Sequence, residues 1–237
     1  QGEVDTFGLT EALSGTVQRN LMLSSFFNVL KPAQIIAKSD QEGMKPVYKD
    51  WFNSGAQGLV KIGYRKSGGQ VTVDFRLYSV EGSEQVRLPK PFDGPIKTEA
   101  AVNKLRALAH QFCNEVIGYY TKTKGFFGSQ IVFVKAGRRS KAIYTMSADG
   151  MEEKALTGGR GINMLPSMGA GRLYFTSFRN GGPHAFRLGS SNTKAFAAYS
   201  GLNTGAVLSP DGSSVAITLS KDGNPEIYVA NLRTGEL

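Results

Sequence analysis

One spacing constrains the fold of this chain more than any other feature: 42 residues, kept by two separate landmarks across three copies. The apolar runs Ile131-Val132-Phe133-Val134, Leu173-Tyr174-Phe175-Thr176 and Val215-Ala216-Ile217-Thr218 begin 42 residues apart. A second set, Ile143-Tyr144-Thr145-Met146, Ala185-Phe186-Arg187-Leu188 and Ile227-Tyr228-Val229-Ala230, keeps the same interval. Turn formers separate the paired runs: Gly137 with two arginines, Asn180-Gly181-Gly182-Pro183, and Lys221-Asp222-Gly223-Asn224-Pro225. Further turns follow the second runs, at Asp149-Gly150, Ser191-Asn192 and Thr234-Gly235. Strand, hairpin and strand recurring at this period predict four-stranded β-propeller blades. A β-sandwich would have to reproduce both landmarks by accident.

The third copy carries Leu208-Ser209-Pro210-Asp211-Gly212 ahead of its strand, and Ser167-Met168-Gly169-Ala170-Gly171 is a degenerate counterpart. Pro presets φ, Asp bonds a backbone N–H two residues on, and Gly accepts positive φ. Ser209, Pro210, Asp211 and Gly212 are therefore expected to form a blade-joining turn. Ser209 and Asp211 are not read as members of a triad, because no histidine repeats nearby. Gly158-Gly159-Arg160-Gly161 reads as a connector, and no Gly-x-Gly-x-x-Gly follows a strand.

Residues 1–125 have a different periodicity. Thr10 to Leu23 predicts a helix with Thr10 or Asp5 as N-cap, its Leu13, Val17 and Leu21 on one face. A strand is expected to begin in Phe26–Leu30, and a short helix at Tyr48–Asn53 stops at Gly55. Gly58–Tyr64 and Val71–Tyr78 read as strands joined by Ser67-Gly68-Gly69. Ile96 to Tyr119 is expected to be one long helix containing His110 and Cys113, both read as helix residues rather than ligands. The order predicts a small open α/β sheet with helices on its face, in a domain spanning 1–125, followed by three propeller repeats over 126–237.

Lys and Arg total 28 against 19 Asp and Glu, a net charge of +9. The excess is spread along the chain, and no run of basic residues forms an arm. It suits an acidic partner or an anionic envelope better than groove reading of nucleic acid, so no nucleic-acid partner is expected. One cysteine and two histidines exclude an internal disulfide and a Cys/His zinc site. No cofactor or metal is expected. No apolar run approaches the ~18 residues of a membrane-spanning helix.

These residues together resemble the TolB family, periplasmic components of the Tol–Pal envelope system. The repeat from Ser209 to Glu236 is similar to the family's Ser-Pro-Asp-Gly, strand, Ile-Tyr-Val, (Ser/Thr)-Gly pattern. Lys124-Gly125-Phe126-Phe127 running into Gln130–Val134 resembles the family's junction into its first blade, and Leu156-Thr157 its blade-closing pair. In the first half, Ser25, Phe27, Asn28 and Leu30 stand in register with a family segment, and Trp51 to Arg65 resembles its helix and strand. The family's propeller has six blades, so three repeats are expected to be part of a longer array.

The resemblance implies a non-enzymatic periplasmic scaffold. It implies a Pal-like peptidoglycan-associated lipoprotein bound at one mouth of the propeller, a TolA-like inner-membrane protein at the N-terminal region, and roles in outer-membrane integrity and division. The loops before the Ser-Pro-Asp-Gly position carry the candidate contacts: Leu202, Asn203, Thr204 and Gly205 in one repeat, Asn163 and Met164 in the one before. Only Asn203 keeps the family's residue there. Asn163 and Asn203, 40 residues apart, are expected to project from the same rim with Leu202 as an apolar contact. Two alternatives stand beside this reading. One is the gating propeller of a prolyl-oligopeptidase-like peptidase, against which no Gly-x-Ser-x-Gly elbow is found. The other is a ligand- or glycan-binding propeller.

Overall fold

The structure, a computed structural model, describes residues 7–37, 41–158, 161–189 and 193–237. The chain forms two compact units, Gln1–Ser129 and Gln130–Leu237. Asp5, Ser191-Asn192 and the Gly159-Arg160 step lie outside the described residues.

In the first unit, helices α1 (Phe7–Thr10) and α2 (Thr16–Leu23) are joined through a π-helical turn, Glu11–Gly15. Thr10 is helical and caps nothing, which corrects its reading as N-cap. Helix α3 (Tyr48–Asn53) ends where Gly55 takes a φ of 80°. Strand β1 (Gly58–Ser67) pairs antiparallel with β2 (Gln70–Ser79) through the Gly68-Gly69 turn. The far edge of β2 is shared by two short strands, β3 (Glu84–Val86) and β4 (Ile96–Glu99). Helix α4 (Val102–Thr121) follows.

Two expectations are corrected here. Residues 96–99 form strand β4, not the start of the long helix. Its edge position offers β2 hydrogen bonds from Gln70 to Val73, and Ala100 N–H adds a bond to Gly69 C=O. That pairing outweighs the residues' neutral helix propensity. Residues 26–30 form no strand, because the chain turns at Ser25 (φ 60°) and Phe27 packs edge-on to Tyr120 of α4.

The period-2 alternation of β2 sends Val71, Val73, Phe75 and Leu77 to one buried face. There Phe75 stacks on Phe112 of α4 with centroids 4.8 Å apart, and Phe92 closes both rings edge-on. The opposite face buries Tyr78 with Leu59, Val80 and Trp51 of α3. Helix α4 also packs on α2 and on the π-helical turn before it, with Cys113 Sγ of α4 3.8 Å from the Val17 carbonyl of α2.

The second unit is three antiparallel meanders. The first holds β5 (Gln130–Ala136), β6 (Lys141–Ser147) and β7 (Lys154–Ala155). The second holds β8 (Asn163–Gly169), β9 (Arg172–Ser177), β10 (His184–Leu188) and β11 (Thr193–Ala197). The third holds β12 (Asn203–Leu208), β13 (Ser214–Leu219) and β14 (Glu226–Asn231). The 42-residue period is the register itself: Phe133 faces Tyr144, Phe175 faces Phe186, and Ile217 faces Tyr228. Among the described residues only the middle blade has four strands. Ile143, Leu173, Phe175 and Phe186 make one core, and Tyr174, Val215, Ile217 and Leu219 the next.

The Ser209–Gly212 segment does not join blades. It closes the β12–β13 hairpin within one, because Ser209 N–H bonds Ser214 C=O across it at 2.8 Å. Its counterpart is a two-residue turn, Ala170-Gly171, with both φ positive (47° and 68°). The hairpin of the third blade is thus two residues longer. That is why Asn163 and Asn203 are 40 residues apart while the strands after the turn keep 42: Asn163 pairs with Ser177, Asn203 with Leu219.

Candidate partner-binding rim

Three hairpin turns, 137–140, 178–183 and 220–225, lie at the same strand ends as the first residues of β8 and β12. This rim holds the residues singled out from sequence. Asn163, Met164, Asn203, Thr204 and Gly205 are strand residues there rather than loop residues, since each pairs with or bulges against β9 or β13. The two strands share a bulge, and its left-handed position is Gly205 (φ 68°) in one and Leu165 (φ 51°) in the other. A leucine in that region carries roughly 1–2 kcal/mol of backbone strain, while its side chain stands 52% exposed.

The asparagines do not project. Asn163 is 1% exposed and Asn203 is 0% exposed. Asn203 Oδ1 accepts the Tyr199 N–H at 2.8 Å, and its Nδ2 donates to the Tyr199 and Gly201 carbonyls at 2.8 and 3.1 Å. Asn163 Nδ2 donates to the Lys141 carbonyl of the preceding blade at 3.1 Å, and its Oδ1 accepts from Arg179 at 3.4 Å. Buried backbone groups need partners, and these amides supply them; that requirement turns them inward.

The same positions stitch neighbouring blades. Lys141 N–H bonds Gly161 C=O at 3.0 Å, and 42 residues later Asn203 N–H bonds Pro183 C=O at 3.1 Å. Thr204 and Gly205 both reach the Thr176 hydroxyl of the middle blade, at 3.0 and 3.3 Å. Leu202 is held by its backbone, accepting from Ser220 N–H and donating to Ser220 Oγ. Its side chain and those of Met164 and Thr204 remain partly exposed.

One recurring feature was not read from the sequence. Each blade seats a cation on the ring at repeat position 144, 186 or 228. Lys135 Nζ lies 5.1 Å from the Tyr144 centroid, Arg179 Cζ 4.6 Å from Phe186, and Lys221 Nζ 4.8 Å from Tyr228. The aromatic recurring every 42 residues was the available signal. Lys135 pairs with Glu153 and Lys221 with Asp222, both at 2.5 Å.

At the opposite strand ends Asp211 organises its turn. It accepts from the Ser209 hydroxyl at 2.5 Å, the Ser213 N–H at 3.1 Å and the Ser213 hydroxyl at 2.8 Å. These bonds, that from Ser209 foremost, pull its carboxyl down to about 2. This is a structural turn, and Gly212 closes it with a φ of 73°. His110 and Cys113 are both buried in the first unit. Asn20 bonds His110 Nδ1 at 2.9 Å, and burial pushes the Cys113 thiol up to about 12, away from reactivity. Among the described residues no group of three or more His, Cys, Asp or Glu is placed to hold a metal ion. No described helix is long and apolar enough to cross a membrane.

Residues 119–237 match the family model for the TolB beta propeller domain, and residues 2–86 that for the TolB amino-terminal domain. The Tol-Pal system protein TolB of Anaeromyxobacter dehalogenans is 29% identical over 97% of this chain and 52% of its own length. That of Desulfosudis oleivorans is 29% identical over 88% of this chain and 48% of its own. The chain thus spans about half the length of the curated relatives it matches. The crystal structure of TolB from Acinetobacter baumannii superposes with a TM-score of 0.78 at 21% identity, over 94% of this chain and 56% of that one. Two domain models in the family's order, over two units with the matching architecture, lead to one conclusion: the chain belongs to the TolB family.

Proposed function

We propose that the protein is a non-enzymatic scaffold of the Tol–Pal envelope system, working in the periplasm. Its propeller would dock a Pal-like peptidoglycan-associated lipoprotein and its first unit a TolA-like inner-membrane protein, in support of outer-membrane integrity and cell division. The observation that carries this reading is the likeness to Tol-Pal TolB proteins across both units rather than in the widespread propeller repeat alone. The chemistry of the rim agrees. Its candidate contacts are two apolar side chains, a threonine and a glycine, and the buried amides of Asn163 and Asn203 are spent on internal hydrogen bonds.

The contact roles divide accordingly. Leu202, Met164, Thr204 and Gly205 form the contact surface, and Asn163 and Asn203 hold it in shape from beneath. Calorimetry of the full gene product against its own lipoprotein tests this. Leu202→Asp is expected to weaken the complex by ~2 kcal/mol, the level of an interface hot spot, with its melting temperature unchanged. Wild-type affinity in that variant would remove Leu202 and its neighbours from the interface.

A further inference from the structure

Sorting the charged side chains of the second unit by strand end separates them unevenly. The rim with the 137–140, 178–183 and 220–225 turns carries Arg138, Arg139, Lys141, Arg179 and Lys221 against Asp222 and Glu226. Asp222 is already bound to Lys221 at 2.5 Å and to the Tyr228 hydroxyl at 2.8 Å. The opposite ends carry Asp149, Glu152, Glu153, Asp211 and Glu236 with Lys154, Arg172, Arg187, Lys194 and Arg233, so their charges balance while the rim keeps a positive excess. Among the described residues Arg138, Arg139 and Arg179 have no carboxylate within ion-pair distance. Arg138 and Arg139 are exposed.

Arg179 is positioned as well as uncompensated. Its guanidinium lies over Phe186, its Nε donates to Ser177 Oγ at 3.1 Å, and its Nη2 donates to Asn163 Oδ1 at 3.4 Å. All three anchors are neutral, so they fix the group without cancelling its charge. Part of the ordering cost of an interfacial arginine is thereby met before any partner arrives. Beside it Ile162 and Phe178 are exposed, tied through Phe178 N–H to Ile162 C=O at 3.0 Å. A fixed arginine beside an aromatic and an aliphatic side chain, in the middle blade of the three, has the composition of an interface anchor.

We propose that this rim docks an acidic protein surface, with Arg179 as its fixed anchor and Arg138 and Arg139 as the steering charges. The inference rests on the scaffold reading and names the chemistry of the partner: carboxylates facing the rim. A protein surface fits better than a lipid surface. Membrane-surface binding uses a continuous apolar face with lysines around it, whereas here the exposed apolar side chains Ile162, Leu165 and Phe178 lie among Gly-, Asn- and Pro-containing turns whose uncompensated charges are arginines, with a fork that matches carboxylates.

The experiment uses the full gene product with three ligands: poly-L-glutamate, phosphatidylglycerol vesicles, and its own lipoprotein. Affinity is read by calorimetry and location by hydrogen exchange at 137–140 and 178–183. Poly-L-glutamate should protect both turns. Arg138→Glu with Arg139→Glu should weaken its binding about tenfold or more, and Lys154→Glu with Arg233→Glu, an equal charge change elsewhere, by less than about twofold. Equal losses in the two variants, no protection at the turns, or protection by the vesicles alone would overturn the proposal. The lipoprotein separates the two readings. Equal binding to wild type and to the rim variant sinks the acidic-partner inference and leaves the scaffold. Rim-dependent binding of poly-L-glutamate with no lipoprotein binding supports the inference and sinks the lipoprotein reading.

Discussion

At Asn203 a single buried amide completes the hydrogen bonding of the turn that enters the third blade. Replacing it with alanine would leave the Tyr199 N–H and two carbonyls of this part-buried turn without their partner and a cavity where the 0% exposed amide sat. Asn203→Ala is expected to cost about 2 kcal/mol, read as a lower urea midpoint; a loss below experimental error would mean that the turn re-pairs without it. Asp211 gives a prediction of a different kind. Its folded value is depressed, to about 2 from an ordinary 3.8. The stability it contributes is therefore present above about pH 4 and lost as pH falls from there towards 2. Asp211→Asn should flatten that acid limb of the melting-temperature profile and leave the neutral region nearly parallel to wild type. An unchanged limb would assign the acid sensitivity to other carboxylates.

Elements in this protein are decided by pairing as much as by their own residues. The segment 41–47 has little regular structure, yet it is pinned to the sheet by a buried ion pair. Lys61 Nζ of β1 lies 2.8 Å from Glu42 Oε2, which also accepts from Trp51 Nε1 at 2.9 Å, and Tyr78 donates its hydroxyl to the Met44 carbonyl. Burial opposes ionisation of Glu42, but its bonds to Lys61 and Trp51 prevail and hold its pKa below the usual value. Removing one partner strands a charge, so Glu42→Ala should cost about 3 kcal/mol, while Glu42→Met with Lys61→Met should recover most of it. A double variant no more stable than the single one would refute that account. The same dependence on neighbours explains what could be read in the sequence. The repeat, helix α3 and the β1–β2 hairpin were legible because Gly and turn residues punctuate them locally. Strand β4 was not, although Ile-Lys-Thr-Glu alternates, because its partners on β2 lie 23 to 29 residues away. The rim positions were legible too, and the burial of Asn163 and Asn203 was not. It is set by Lys141 and Tyr199, which no local pattern ties to them.

For the whole molecule we propose a functional division into an N-terminal domain, 1–125, and a partial propeller, 126–237. The compact units part slightly later, after Ser129. Phe127 is the reason. Asn114 of α4 clamps its backbone, accepting the Phe127 N–H at 2.9 Å and donating to its carbonyl at 2.8 Å. Its ring, 5% exposed, stacks on His110 at 6.3 Å, so a residue expected at a domain junction instead belongs to the core of the first unit. Gly125 makes the approach to α4 feasible, since a side chain there would collide with Asn114. A fragment ending at residue 129 should therefore be more stable than one ending at 125. Burial of the phenyl ring contributes about 2 kcal/mol, and the amide clamp adds about 1. Urea unfolding of the two fragments, followed by the fluorescence of Trp51, measures the difference directly. Equal midpoints would remove Phe127 from the core of the first unit and bring its compact boundary back to 125, where the proposed functional division lies.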